Sequence, residues 1–122
     1  MHELSIAQSL IERVEELASR EGAERVERVT VRVGALCGVD PEALGFVFPI
    51  AAEGTAAGGA QLTIERVPAA VRCRGCGRTC EPVFPFFLCG HCGSDDVEVT
   101  AGRELDLASV DVAVPEDRAT GD

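Results

Sequence analysis

Two Cys-x-x-Cys pairs, Cys73/Cys76 and Cys89/Cys92, face each other across the stretch CRGCGRTCEPVFPFFLCGHC. Each pair is followed by a glycine, Gly77 or Gly93, which permits the tight turn that aims two sulfurs at one point. Two such knuckles joined by a hairpin present four thiolates tetrahedrally, as Zn²⁺ prefers. The predicted zinc ligands are Cys73, Cys76, Cys89 and Cys92. Four thiolates leave no open coordination position, so the expected metal role is structural. Disulfides require an oxidising compartment, and a thioredoxin-type site has a single Cys-x-x-Cys. Iron held by four thiolates has the same spacing and stays open at this point. Cys80 is a spare thiol close to the first pair, Cys37 lies far away, and His91 is expected to point outward from its loop.

The rest of the composition narrows the function. The 122 residues carry a net charge of −10, which disfavours general attraction to phosphate backbones or anionic lipid. All eleven basic side chains are arginine, so neither a Walker A lysine nor a Schiff-base lysine is available. No apolar run reaches the length of a membrane span. Met1-His2-Glu3 does not resemble the basic start of a signal peptide, and a cytoplasmic location is expected.

In chain order, Leu4, Ala7, Leu10, Ile11, Val14, Leu17 and Ala18 recur at helical spacing. Ser5 with Gln8 suggests a capping box at the start and Gly22 a stop at the end. From Val26 the period becomes two, with Val29, Val31 and Val33 on one face up to Gly34. Asp40-Pro41 reads as an N-cap and first helical residue, and Pro49 is expected to kink or end that second helix. Gly54, Gly58 and Gly59 mark a loop before a strand over Gln61–Val67. A last strand is expected from about Glu104 to Val114, with a bulge near Ala108-Ser109 where the apolar phase switches.

The fold class expected is α+β: a small mixed core of about three strands with two helices, plus an inserted zinc-ribbon-like module. The predicted organisation is 1–68 and 99–114 as core, 69–98 as the four-cysteine module, and 115–122 as a disordered acidic tail.

A histidine at position two offers a chelate through the α-amine of Met1, its own amide nitrogen and its imidazole. Nitrogen-rich, near-planar coordination suits Ni²⁺ or Cu²⁺ better than Zn²⁺. Glu3 or Asp40 can add a carboxylate or an outer hydrogen bond. Each also has an ordinary reading: His2 as part of a frayed terminus, Glu3 as a complement to the helix dipole, Asp40 as a cap.

The opening Met-His-Glu-Leu-Ser, the strand ending Val33-Gly34, Asp40, the Glu53-Gly54-Thr55 turn, the Leu62-Thr63-Ile64 strand and the paired cysteines occur in a characteristic order. Together they resemble the HypA/HybF family of hydrogenase nickel-insertion proteins. The resemblance covers nearly the whole chain except the acidic tail. It implies a metallochaperone and not an enzyme. Transferable Ni(II) would be held by Met1 and His2, with Glu3 and Asp40 nearby, and structural Zn(II) would sit in the four-cysteine module. The partners it implies are a HypB-type GTPase and the large subunit of [NiFe]-hydrogenase, with urease maturation as a further possibility. Cys37, Cys80, His91 and the longer acidic tail depart from the family pattern. The rival from another class is a zinc-ribbon adaptor binding a protein or nucleic acid, with Arg72, Arg74 and Arg78 as its basic cluster.

Overall fold

In the computed structural model of the chain, the described residues run from 3 to 115. Met1, His2 and the tail from residue 116 onward lie outside them, and with them the expectation of a disordered terminus. The element order is α1 (Glu3–Arg20), β1 (Arg25–Gly34), α2 (Pro41–Ala52), β2 (Gln61–Val67), β3 (Ala70–Cys73), β4 (Thr79–Cys80), β5 (Val97–Ala101) and β6 (Leu105–Ala113). Two three-stranded sheets result, ordered β2-β1-β6 and β4-β3-β5. Two helices, a three-stranded core sheet and a separate small sheet around the cysteines make up the α+β class expected.

The chain divides into two compact units. The first is built from the chain up to Arg32, from Val39–Glu65 and from Asp106 onward; the second comprises Val33–Gly38 and Arg66–Leu105.

Within the first unit, α1 buries Ile6, Ala7, Leu10, Ile11, Val14 and Ala18, the helical stripe read from the sequence. Each large aliphatic side chain so buried contributes about 1.5–3 kcal/mol. The expected capping box is absent, because the helix already begins at Glu3 and Ser5 sits inside its first turn. At the other end the stop is as expected. Gly22 takes φ 65°, the Gly22 N–H bonds to Ser19 C=O at 3.1 Å, and the Ala23 N–H bonds to Ala18 C=O at 2.9 Å. This pair of bonds closes the helix as a Schellman motif, which satisfies two otherwise orphan carbonyls.

Helix α2 packs against α1 and buries Leu44, Phe48 and Ala52, which fall on one line at four-residue steps. Pro49 does not end it: the helix runs on to Ala52. Proline removes one N–H bond but leaves later residues free to stay helical where packing holds them. Here Ala52 is buried, the Glu53 N–H bonds to Ile50 C=O, and the Thr55 N–H and hydroxyl both bond to Ala52 C=O. Central strand β1 buries Val26, Val29, Val31 and Val33 almost completely. It carries cross-strand side-chain contacts to both neighbours, Arg28 to Gln61 of β2 and Arg32 to Asp106 of β6. Along β6 the half-buried positions are Leu105 and Leu107, then Val110 and Val112, with Ala108 and Ser109 both exposed between them. The phase switch expected there is present.

Within the second unit, β3 pairs antiparallel with both β4 and β5. Its entry and exit are held by backbone bonds: Gly34 N–H to Glu104 C=O at 2.7 Å, Ala35 N–H to Val67 C=O at 2.9 Å and Leu36 N–H to Gly102 C=O at 2.6 Å. This closure leaves no room for a side chain at Gly34. A Cβ there would overlap the Gly102 carbonyl and lie 2.8 Å from the Glu104 nitrogen.

Candidate metal centres

The two cysteine pairs sit in two matching turns. In the first, β3 ends at Cys73, whose Sγ accepts the Cys76 N–H at 3.4 Å, and the Gly77 N–H bonds to Cys73 C=O at 2.9 Å. In the second, Cys89 Sγ accepts the N–H groups of His91 at 3.3 Å and Cys92 at 3.5 Å, and the Gly93 N–H bonds to Cys89 C=O at 3.0 Å. Gly77 and Gly93 take φ 77° and 79°, the left-handed conformation that closes each turn. Between the turns, a Val83–Leu88 bridge makes the connecting segment a hairpin, with the Phe84 and Phe87 rings in edge contact.

These turns bring the sulfurs of Cys73, Cys76, Cys89 and Cys92 within 4.8 Å of one another. The Cys73–Cys92 and Cys76–Cys89 sulfurs are 3.5 and 3.7 Å apart. A tetrahedron with Zn–S bonds of about 2.3 Å has sulfur–sulfur edges of about 3.8 Å. The four donors therefore fit Zn²⁺ without rearrangement, and their number closes its coordination sphere. The first cysteine of each pair is buried and the second exposed, so each knuckle presents one thiol from the interior and one from the rim.

Electrostatics differ between the thiols. The Cys89 thiol is lowered to about 6 by the N–H groups of Cys92 and His91, which stabilise its thiolate. Cys73 is lowered chiefly by the Cys76 N–H. For Cys92 the Ser94 N–H is the largest influence and lowers it. Cys73, burial, Cys89 and Cys76 together outweigh that and push Cys92 up to about 12. Cys76 is raised in the same way, its Arg78 N–H overcome by burial and the thiols of Cys89 and Cys73. The buried thiols hold negative charge readily, and each one charged makes the next harder to ionise. A divalent cation removes that conflict.

Cys80, the spare thiol of the sequence, stands outside the tetrad. It lies on β4, half-buried, with Sγ 4.0 Å from Cys89 Sγ and accepting the Gly90 N–H at 3.3 Å. His91 is exposed, as expected, and its Nδ1 lies 3.4 Å from Arg78 Nη1. Arg74 is paired with Asp96 at 2.8 Å. The two N–H contacts to sulfur differ in origin: a Cys-x-x-Cys-Gly turn implies the His91 donor to Cys89, whereas Gly90 donates to Cys80, a sulfur brought in by another strand.

Of the residues considered for nickel, the structure brings two together. Glu3 begins α1, and its Oε2 accepts the Asp40 backbone N–H at 3.2 Å. Asp40 caps α2, its Oδ1 accepting the Glu42 N–H at 3.0 Å. Met1 and His2 lie outside the described residues.

A sequence profile described as hydrogenase/urease nickel incorporation, metallochaperone, hypA matches residues 1–112. The hydrogenase maturation factor HypA of Chlorobium limicola is 42% identical over 112 residues, spanning 92% of this chain and 97% of that protein. HypA of Synechococcus sp. is 43% identical over 112 residues, spanning 92% and 99%. Among solved structures, the Ni metallochaperone HypA from Helicobacter pylori superposes with a TM-score of 0.66 at 29% identity, covering 94% of this chain and all of that one. A second solution structure, described as HypA protein, gives 0.71 at 29% identity, covering 94% and 98%. With the profile matched over residues 1–112 and these relatives aligned over nearly their full length, this chain belongs to the HypA family.

Proposed function

We propose that this chain is a nickel metallochaperone of hydrogenase maturation: it binds Ni(II) at its amino terminus and helps insert the ion into the large subunit of [NiFe]-hydrogenase. The observation that carries the reading is the family match over residues 1–112. The Glu3–Asp40 contact supports the location, since it brings the Asp40 backbone to the Glu3 carboxylate at the start of α1, next in the chain to His2. Met1, through its amine, and His2, through its imidazole and amide, are the nitrogen donors, with Glu3 and Asp40 as carboxylate or outer-sphere groups. Such a site is open, so nickel leaves by ligand exchange. The four-cysteine zinc site is closed and retains its metal. Ni²⁺ is the cargo and Zn²⁺ the resident ion.

Delivery proceeds with a HypB-type GTPase as partner, and the chaperone extends to urease maturation if the recipient is present. The compartment that goes with this role is the cytoplasm. Separately, among the described residues no helix is long and apolar enough to cross a membrane. The adaptor reading is disfavoured by the arginines it needs, since Arg74 is engaged by Asp96 and Arg78 approaches His91.

The deciding experiment is nickel binding by untagged, zinc-loaded protein beside His2→Ala. One equivalent bound by the wild type and none by the variant, at unchanged zinc content, supports the assignment. Equal binding by both overturns it. A tag on the Met1 amine should act like His2→Ala.

A further inference from the structure

Five thiols cluster around the second knuckle, and zinc employs four. The fifth, Cys80, is fixed rather than loose: β4 pairs it opposite Val71, and the Gly90 N–H holds its sulfur against the knuckle turn at 3.3 Å. Its Sγ lies 4.0 Å from that of Cys89. The two differ in access. Cys80 is half-buried and open to a small oxidant, whereas Cys89 is only 2% exposed and shielded from one. An accessible sulfur beside a shielded second sulfur is the arrangement in which the first is oxidised and the second resolves it.

We propose that Cys80 is an oxidation site through which hydrogen peroxide joins it to Cys89 and withdraws one sulfur from the zinc tetrad. Peroxide transfers one oxygen to the Cys80 sulfur; the O–O bond breaks, and the thiol becomes a sulfenic acid with release of water. The Cys89 thiolate then attacks the Cys80 sulfur, the S–O bond breaks, and hydroxide leaves as the disulfide forms. Peroxide has taken two electrons, one from each sulfur. Cys89 no longer carries a thiolate, and the tetrad falls to three donors, which opens a coordination position. Oxidation thereby makes a retained ion releasable. The inference rests on the zinc reading of the tetrad, and nickel binding at the amino terminus is not involved.

The test treats the full, zinc-loaded chain with equimolar hydrogen peroxide. Zinc release is followed with a chromogenic chelator, and disulfides are mapped by mass spectrometry after thiol alkylation. The expected first product is a Cys80–Cys89 disulfide, formed together with the fast phase of zinc release. Cys80→Ser, checked beforehand for full zinc content, should lose that fast phase, while Cys37→Ser should keep it. A wild-type rate in Cys80→Ser overturns the proposal, as does a first disulfide joining two tetrad cysteines. If Cys80→Ser cannot be loaded, the map of the wild type decides alone. Wild-type protein lacking zinc before peroxide would refute the zinc reading instead, and the mapped disulfide would still report on Cys80.

Discussion

The Glu3 carboxylate accepts the backbone N–H of Asp40, a residue 37 positions later in the chain, at 3.2 Å. One bond thus links the first residue of α1 to the cap of α2, and it places two carboxylates where helix amino ends favour negative charge. Asp40 then has two separable properties, a capping oxygen and a charge. Asp40→Ala removes both and should cost about 1 kcal/mol through the lost cap. Asp40→Asn keeps a capping oxygen and should stay within a few tenths of a kcal/mol of the wild type. If the charge serves nickel, both variants bind Ni²⁺ more weakly while only Asp40→Ala unfolds at lower urea. Urea melts paired with nickel calorimetry read the two effects independently.

The metal-free thiols carry a second prediction. Cys89 is lowered to about 6 by the Cys92 and His91 N–H groups, against an ordinary value of 9.0. A depressed thiol contributes stability that is complete above the ordinary value and is lost as pH falls toward the folded one. Metal-free protein in which these turns stay formed should therefore gain its first thiolate absorbance near pH 6 and lose stability as pH drops from about 9 to 6. Cys92, pushed up to about 12, runs the other way: its contribution is present below 9 and disappears as pH rises toward 12. An ultraviolet pH titration of Cys89→Ser should lack the first step; a step retained in that variant would reassign it.

Much of this arrangement was legible in the residues, and the misses share a cause. Periodicity found α1, β1 and β2, because each buries one continuous face: Leu10 and Val14 in the helix, Val29, Val31 and Val33 in the strand. The Asp40-Pro41 cap is a local signal and was readable for that reason. Ser5 and Pro49 misled because capping and helix ending are settled by neighbours outside the local sequence. The chain already turns helical at Glu3, and buried Ala52 holds the turn after Pro49. The cysteine spacing disclosed the tetrad. The approach of Cys80 to Cys89 was not readable, since it depends on β4 pairing with β3, and β4 has only two residues.

The glycines separate two costs that are usually confounded. Gly102 takes φ 116°, and a Cβ there would lie 2.9 Å from the Ala69 Cα and 3.3 Å from the Leu36 side chain. Gly38 takes φ 82° with nothing within reach of a Cβ. Gly38→Ala should lose only the conformational cost of a left-handed residue, about 1 kcal/mol. Gly102→Ala adds backbone overlap, worth a further 1–3 kcal/mol or so by the cost of overpacking. Thermal unfolding of the two variants should rank Gly102→Ala clearly lower. Equal melting points would mean that the strands around Gly102 move apart freely.

Zinc removal should act on the second unit first, because that unit has little core of its own. Its almost wholly buried apolar or thiol side chains are Val33, Ala69, Val71, Cys73, Pro82 and Cys89, and two of these six belong to the four-thiol cluster. The first unit, by contrast, buries Leu10, Val14, Val29, Leu44 and Phe48 without a metal. Structural zinc sites of this kind supply apparent binding of about 10–16 kcal/mol, which feeds directly into folding. Chelation, or Cys73→Ser, should therefore raise amide exchange across β3, β4 and β5 while α1 and β1 keep their protection. Hydrogen exchange read by mass spectrometry resolves the two sets of peptides. Uniform loss of protection would show instead that the ion stabilises the whole chain as one cooperative unit, and unchanged exchange in β3–β5 would show that the sheet stands without it.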